Sequence, residues 1–292
     1  MAYYTIGLDG GGTKTEAVLL SKEGKIIKTA RLGALNPVSY PESPANIAEE
    51  LKQYINENCL AICAACAGAG DKTKAWQVEN ALKTVFHGSI YVRTDGENAL
   101  YTAHGEESGV IVISGTGSVC YGQNRGITAR SGGRGNVFDD GGSGYAIGRD
   151  ILRAVVRASD GRGEKTKLSE ALFNECGTND IAAITARYTS CPKSDIAALA
   201  PLTDKLCDDK AAVDIMNTAA RELADMAAAV INTLKLTNPR VAFTGSTVLN
   251  SPTLYALSEN AILARFPNAV CFKSAKNAAL GAAEYAWSRE RD

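Results

Sequence analysis

Twice in this 292-residue chain an apolar run stops on a glycine- and hydroxyl-rich turn and restarts as a second short run. The first copy is Tyr3–Leu8, then Asp9-Gly10-Gly11-Gly12-Thr13-Lys14-Thr15, then Glu16–Leu20. The second is Gly109–Ile113, then Ser114-Gly115-Thr116-Gly117-Ser118, then Val119–Gln123. Short apolar runs bounded by glycine turns read as strands, so each copy predicts a strand, a tight turn and a second strand. A device used twice points to two lobes of like construction. Taken alone, either copy is also readable as an ordinary glycine-rich hairpin, because short motifs recur by chance.

The chemistry of the first turn favours a phosphate. Successive glycines let the backbone turn with its N–H groups facing inward, while Thr13, Thr15 and Lys14 can add hydroxyl donors and a positive charge. Asp9, at the strand end, is placed to hold hydrated magnesium. The turn is not a Walker A loop, since no glycine precedes Lys14, and no G-x-G-x-x-G opening a helix occurs elsewhere. A further turn at Ser21–Lys25 leads to a third strand, Ile26–Thr29.

The remaining pattern alternates. Ile47–Asn56 and Ala75–Val85 read as helices, Leu60–Ala67 and Ser89–Arg93 as strands, which makes an α/β chain. Gly144–Ala158 reads as a helix, and Glu164–Tyr188 as helical segments broken at Cys176–Asp180. Ala211–Leu236 reads as a long helix whose Ile215, Ala219, Leu223, Met226 and Val230 recur at helical spacing, so Met226 is read as core. Pro239–Thr244 is a strand ending in a third glycine–hydroxyl turn, Gly245-Ser246-Thr247, and Ala278–Arg291 closes the chain as a helix.

At 30.7 kDa the chain has room for roughly two domains. With a formal net charge of −1, nucleic acid is not expected as a partner. With no signal-peptide pattern and no apolar run approaching the ~18 residues that span a bilayer, the expected location is the cytoplasm and no membrane contact is expected.

Cys59, Cys63 and Cys66 have a C-x3-C-x2-C spacing used for some iron–sulfur clusters, but they lie in an apolar run that reads as a strand. Strict alternation would put Cys59 and Cys63 on one face and Cys66 on the other, so they are expected to be buried small hydrophobes. His87 and His104, the only histidines, have no spaced partners for zinc or a nucleophilic triad.

Asp95 follows a short strand and precedes an alanine-containing helical stretch. Such a carboxylate can accept a hydroxyl proton, which phosphoryl transfer to an alcohol requires; as an isolated residue it also reads as a helix N-cap. Glu97 suits the first helical turn. Ser131–Tyr145, too glycine-rich for a core element, reads as a binding loop leading into a helix. Its Asp139 and Asp140 can bind sugar hydroxyls or anchor magnesium waters, or simply cap the helix or face solvent.

Taken in order, the Asp9–Thr15 turn, Asn36 within Gly33–Pro37, Ala67–Gly70, Thr94-Asp95, Ser114–Ser118, the Gly132–Tyr145 loop and Gly245-Ser246 resemble the sugar-kinase/Hsp70/actin superfamily. Within it the likeness is to the BadF/BadG/BcrA/BcrD-type ATPases, which include N-acetylglucosamine kinases, and it covers nearly the whole chain. The resemblance implies an α/β fold of two ribonuclease-H-like, actin-like ATPase lobes around a central nucleotide cleft. Residues 1–107, joined by the C-terminal helix 278–292, would form one lobe and 108–277 the other.

It also implies roles. Asp9 would anchor magnesium through water, with Asp140 a second candidate. Gly11, Gly12, Thr13 and Lys14, with Gly115, Thr116 and Gly117, would hold the phosphates of ATP, and Gly245 and Ser246 would lie near adenosine. Asp95 would be the general base, and Asn36, Gly68 and Asp140 would line a pocket for a small-molecule sugar. A homodimer is the expected assembly.

The chain departs from the family pattern where Arg134 replaces a tryptophan and Asp139-Asp140-Gly141-Gly142-Ser143 replaces Gly-Asp-Glu-Gly-Ser. A guanidinium at Arg134 would suit a more polar or acidic sugar such as N-acetylmuramic acid, since arginine holds carboxylates through paired hydrogen bonds; the plainer reading is that it faces solvent or pairs with Asp139. The expected activity is an ATP-dependent kinase acting on an amino sugar. The competing readings are an ATPase that activates a partner reductase or dehydratase, and a nucleotide or sugar sensor without turnover.

Overall fold

A computed structural model describes residues 3–290. Contacts divide the chain into two compact units, Met1–Glu106 with Lys276–Asp292, and Glu107–Ala275. Each is built around its own sheet.

The first unit contains β1 (Tyr4–Gly10), β2 (Thr15–Ser21), β3 (Ile26–Leu32), β4 (Cys59–Cys66) and β5 (Ser89–Thr94), in the order β3-β2-β1-β4-β5. The β1–β2–β3 meander is antiparallel, and β4 and β5 join it in parallel. Helix α1 (Ser43–Leu51) lies between β3 and β4, α2 (Lys72–Lys83) between β4 and β5, and α3 (Asp95–His104) follows β5. Pro44 in its first turn starts α1 four residues before the run that the sequence suggests. Asp71 caps α2 by accepting from the N–H groups of Thr73 (2.7 Å) and Lys74 (3.1 Å).

The C-terminal helix Ala278–Arg289 returns to cover this sheet. Its backbone runs so close to β1 that a Cβ at Gly7 would lie 2.0 Å from the Ala279 carbonyl oxygen, so no other residue fits there. Thr5 Oγ1 donates to the Ala283 carbonyl (2.9 Å), and Trp287 Nε1 to that of Leu20 (2.8 Å), binding the chain's two ends.

The second unit repeats the plan. β6 (Gly109–Ser114), β7 (Ser118–Asn124) and β8 (Ile127–Gly132) form an antiparallel meander, extended in parallel by β9 (Arg240–Thr244) and β10 (Val270–Lys273), in the order β10-β9-β6-β7-β8. Reading each sheet from its meander outwards gives the same third-second-first-fourth-fifth order, so the two turns seen in the sequence occupy equivalent places. The helices are α4 (Gly144–Ser159), α5 (Leu168–Cys176), α6 (Ile181–Thr189), α7 (Lys193–Ala197), α8 (Lys210–Leu234), α9 (Ser246–Asn250) and α10 (Pro252–Leu263).

The long α8 buries Met216, Leu223, Met226 and Ile231 against this sheet and its neighbouring helices, so Met226 is a core residue. No helix among the described residues is long and apolar enough to cross a membrane.

One expectation of facing is overturned. Cys59 and Cys66 pack on the same side of the first sheet, and Cys63 on the other with Ala61, Ala282 and Ala286. The cause is a bulge: Tyr4 pairs with Cys59 but Thr5 with Ala61, so Leu60 is an extra residue and the alternation slips by one. Burial pushes the Cys59, Cys63 and Cys66 thiols up to about 12, which keeps them protonated and inert.

Candidate functional site

In the first unit the parallel strands finish level with one another. Gly10 pairs with Cys66, and Cys66 with Thr94. Asp9 therefore sits one residue inside the end of β1, and Asp95 one residue past the end of β5. Two strand spacings separate them across the sheet, about 10 Å. The sequence puts Asp9 just beyond its strand; the ladder continues to Gly10, which fixes the Asp9 backbone within the sheet.

Asp95 does not cap α3. Thr94 does, accepting from the Glu97 N–H (3.1 Å) while Glu97 accepts from the Thr94 N–H (3.0 Å), a reciprocal capping box. Asp95 is thereby freed to occupy the first helical position, exposed, with one oxygen accepting from the Gly96 N–H at 2.9 Å.

The charges at this edge are unevenly compensated. Burial pushes the Asp9 carboxyl above its ordinary value, and Glu16 and Asp95 push it further, against a smaller opposing pull from Lys14. Glu16, by contrast, is held low by its hydrogen bond from Lys14 Nζ at 2.9 Å. Lys14 is thus committed to Glu16, and Asp9 carries a charge that a cation would relieve. Among the described residues no three His, Cys, Asp or Glu side chains converge into a metal cage. A donor set of one carboxylate suits magnesium, which keeps several waters and takes phosphate oxygens as ligands.

The turn itself is open. The Gly11 N–H donates to the Lys14 carbonyl (2.9 Å), and the Gly11 carbonyl accepts from the Leu35 N–H (3.1 Å). Gly12, Thr13 and Lys14 are exposed. Thr15 is not available as a donor to a ligand: it is fully buried in β2, and its hydroxyl has no partner among the described residues.

Asn36 lies beside this turn, its Nδ2 4.0 Å from where a Gly12 Cβ would stand. Its Oδ1 accepts from the N–H groups of Val38 (3.1 Å) and Ser39 (3.0 Å), which orients the amide. Val38 packs on Gly68 in the turn after β4. Asp9, the glycine turn, Asn36, Gly68 and Asp95 are thus gathered along one edge of the first unit.

In the second unit the equivalent turn is clamped. The Gly115 carbonyl accepts from the Gly144 N–H and from Thr247 Oγ1, both at 2.8 Å. The Thr116 carbonyl accepts from the Tyr145 N–H (3.2 Å), and the Gly115 N–H donates to the Gly117 carbonyl (2.9 Å). Ser114 and Ser118 hydroxyls donate to the Gly142 (2.7 Å) and Gly141 (2.6 Å) carbonyls.

Gly245 enters the same knot at φ 99°, and a Cβ there would lie 2.4 Å from the Ser114 carbonyl oxygen. Ser246 Oγ stands 3.8 Å from a Cβ built on Gly115. The Ser114–Ser118 turn and the Gly245–Thr247 turn are therefore one assembly.

Beside it opens a cavity of about 260 Å³, bordered by Thr116, Ser246 and Thr247 and completed by Ser194, Asp204 and Asn250. Asp204 accepts from Ser251 Oγ at 2.8 Å. These last three residues were not legible in the sequence, because they come from short helical turns and carry no motif. The one available signal was proximity of Asn250 to the Gly245 turn.

The glycine-rich loop is shorter than its sequence suggests, because Ser131 and Gly132 complete β8. Ser143, not an aspartate, caps α4, accepting from the Ala146 N–H at 3.1 Å. Asp139 accepts from the Arg134 backbone N–H (3.3 Å), and the Arg134 side chain is exposed. Asp140 is only 6% exposed, takes a left-handed backbone (φ 69°), and places its carboxylate about 3.3 Å from a Cβ built on Gly117. A buried carboxylate beside the Ser114–Ser118 turn suits a hydroxyl or a metal-bound water as its partner.

The sequence profile of the BadF/BadG/BcrA/BcrD ATPase family matches residues 6–286. The chain is 31% identical to the N-acetylmuramic acid/N-acetylglucosamine kinase of Clostridium acetobutylicum, over 96% of each chain. It is 30% identical to the N-acetyl-D-glucosamine kinase of Dictyostelium discoideum, over 95% of this chain and 96% of that one. A solved structure from Chromobacterium violaceum, provisionally named an N-acetylglucosamine kinase, matches with a TM-score of 0.77 at 24% identity, over 97% and 98% of the two chains. The fold is that of the actin-like ATPase sugar kinases.

Proposed function

Because the chain belongs to the BadF/BadG/BcrA/BcrD ATPase family, we propose that it is an ATP-dependent kinase that phosphorylates a hydroxyl of an amino sugar, with Asp95 as general base. The observation that carries this reading is the register of Gly10, Cys66 and Thr94, which brings Asp9, Asp95 and the glycine turn to one sheet edge. Kinase names on two relatives that match 96% and 95% of the chain support it.

In the proposed reaction the sugar hydroxyl gives its proton to Asp95 as its oxygen bonds to the γ-phosphorus, and the bond to the β,γ-bridging oxygen breaks to release ADP. The transition state is loose, so positioning and charge screening account for most of the acceleration. Gly11–Thr13 and Thr116–Gly117 hold phosphates through backbone N–H groups. The cavity bordered by Ser246 and Thr247 takes the adenosine, and Asn36, Gly68 and Asp140 hold the sugar. Magnesium, bound at Asp9 through water, would supply charge neutralisation on the phosphates. We further assign a homodimer and a cytoplasmic location, the former checked by sedimentation.

Arg134 favours a second acceptor. Its guanidinium is exposed and makes no ion pair among the described residues, so it is available to a carboxylate. N-acetylmuramic acid, which bears one, is part of the printed activity of the Clostridium relative. The test is coupled ADP release with magnesium and ATP against glucosamine, N-acetylglucosamine, N-acetylmannosamine, N-acetylmuramic acid and glucose. Signal confined to amino sugars supports the reading, and signal that ignores the acceptor refutes it. Arg134→Ala should lower the rate with N-acetylmuramic acid more than with N-acetylglucosamine.

A further inference from the structure

Away from these turns, α4 carries a cationic face. Arg149, Arg153 and Arg157 recur every fourth residue, so their side chains stack along one side of the helix, and Arg162 from the following loop joins them. Like charges at this spacing destabilise a helix. The opposite side, Ile147, Ile151 and Val155, is core.

The arginines rim a groove of about 630 Å³ whose floor is apolar, formed by Val156 with Tyr188 of α6 and Ile196 of α7. Carboxylates only partly balance the rim. Asp150 is shared between Arg149 (3.0 Å) and Arg153 (3.4 Å), and Asp160 pairs with Arg162. The Arg157 guanidinium donates to the Arg162 carbonyl at 3.0 Å. The lining thus holds a positive excess in a chain whose net charge is −1.

We propose that this groove binds a small phosphate ester carrying a ring. Guanidinium groups match phosphate oxygens with paired hydrogen bonds, and an apolar floor with an aromatic edge accepts the face of a sugar or a base. The volume falls within the range of small-ligand pockets, roughly 300–1,000 Å³, which favours a compact ester over a polymer. Tyr145 lines the groove, and its N–H holds the Thr116 carbonyl of the phosphate turn at 3.2 Å. An occupant therefore touches the helical turn that braces Gly115–Gly117. Identifying the ester as a hexosamine phosphate rests on the kinase reading; the anion chemistry of the groove does not.

The experiment is calorimetric titration of the full chain with glucosamine 6-phosphate, in the presence of excess magnesium, ADP and glucosamine to fill the proposed catalytic pockets. Inorganic phosphate and a short RNA are run as parallel probes. The proposal expects saturable binding of the ester, weakened about tenfold or more in the double variant Arg153→Ala, Arg157→Ala, and partly restored by lysine at both positions, which keeps charge but not the fork. Both arginines are exposed, and an unchanged melting temperature would establish that the variant is folded. Undiminished binding in the double variant, absence of saturable heat, or tighter binding of the RNA than of the ester would each overturn it. A failed kinase assay would leave this readout intact.

Discussion

The two equivalent hairpin turns are built from like sequences and are supported in opposite ways. In the first unit Gly12–Lys14 of the turn are exposed, and one backbone hydrogen bond from outside the hairpin, from Leu35, reaches it. Around it stand Asp9, Glu16 and Asp95; burial first, and then repulsion from the other two, raises the affinity of Asp9 for protons. In the second unit the turn at Gly115–Gly117 is tied to α4 and to Thr247, and Gly245 closes against it. The first turn has several carboxylates about it and little bracing, and the second much bracing and one buried carboxylate, Asp140. The same scaffold thus occurs twice with different surroundings, and on the proposed reading the first unit would carry charge and proton transfer and the second would grip the nucleotide.

Asp9→Asn is the strongest way to break this division. Activity should fall about a hundredfold or more, the size of effect seen when a charge-stabilising group is removed. Stability should move the other way. With its folded value raised, Asp9 binds its proton more tightly folded than unfolded, so the fold is favoured at low pH and loses that advantage as pH climbs from the ordinary 3.8 through the raised value. Asparagine removes the loss, so at neutral pH the variant should melt higher than the parent, by calorimetry, and show a flatter melting temperature between pH 4 and 7.

Gly245→Ala attacks the braced side. It forces a Cβ against the Ser114 carbonyl and a side chain into positive φ, which should cost about 1–3 kcal/mol in denaturant unfolding and raise KM for ATP. Thr247→Val removes one bond to a Gly115 carbonyl that keeps the Gly144 N–H, so about 1 kcal/mol is expected, with KM for ATP rising more than kcat falls. Smallest is Lys14→Met. The Lys14–Glu16 pair is substantially exposed and should contribute under about 1 kcal/mol, which urea unfolding would resolve, although Glu16 would then titrate closer to the ordinary range.

Much of this arrangement was legible because β1, β2, β4, β6, β7 and β9 are short, largely apolar runs with a glycine-containing turn close behind them, and α8 has a long helical period. β8 was missed since Ile127–Gly132 is an edge strand with mostly polar, partly exposed residues, and β10 because Val270–Lys273 is too brief to show alternation. The faces of Cys59, Cys63 and Cys66 were misassigned because nothing in the sequence marks the bulge at Leu60. In the site, Asp9, Asp95 and the glycine turns announce themselves through residue type at a strand end. Asp204 and Ser194 reach the cavity only through the packing of α7 and the turn after it, a tertiary fact with no local signature. The burial of Asp140 likewise depends on a left-handed backbone that its sequence neighbours do not require.

The most direct test of the division is to measure ATP affinity and acceptor-dependent ADP release in the same preparation of Asp95→Asn. The account predicts a kcat about 10²- to 10⁴-fold below the parent, the usual contribution of a general base, with the dissociation constant for magnesium and ATP essentially unchanged. Undiminished turnover, or a loss of nucleotide binding that matches the loss of rate, would contradict it.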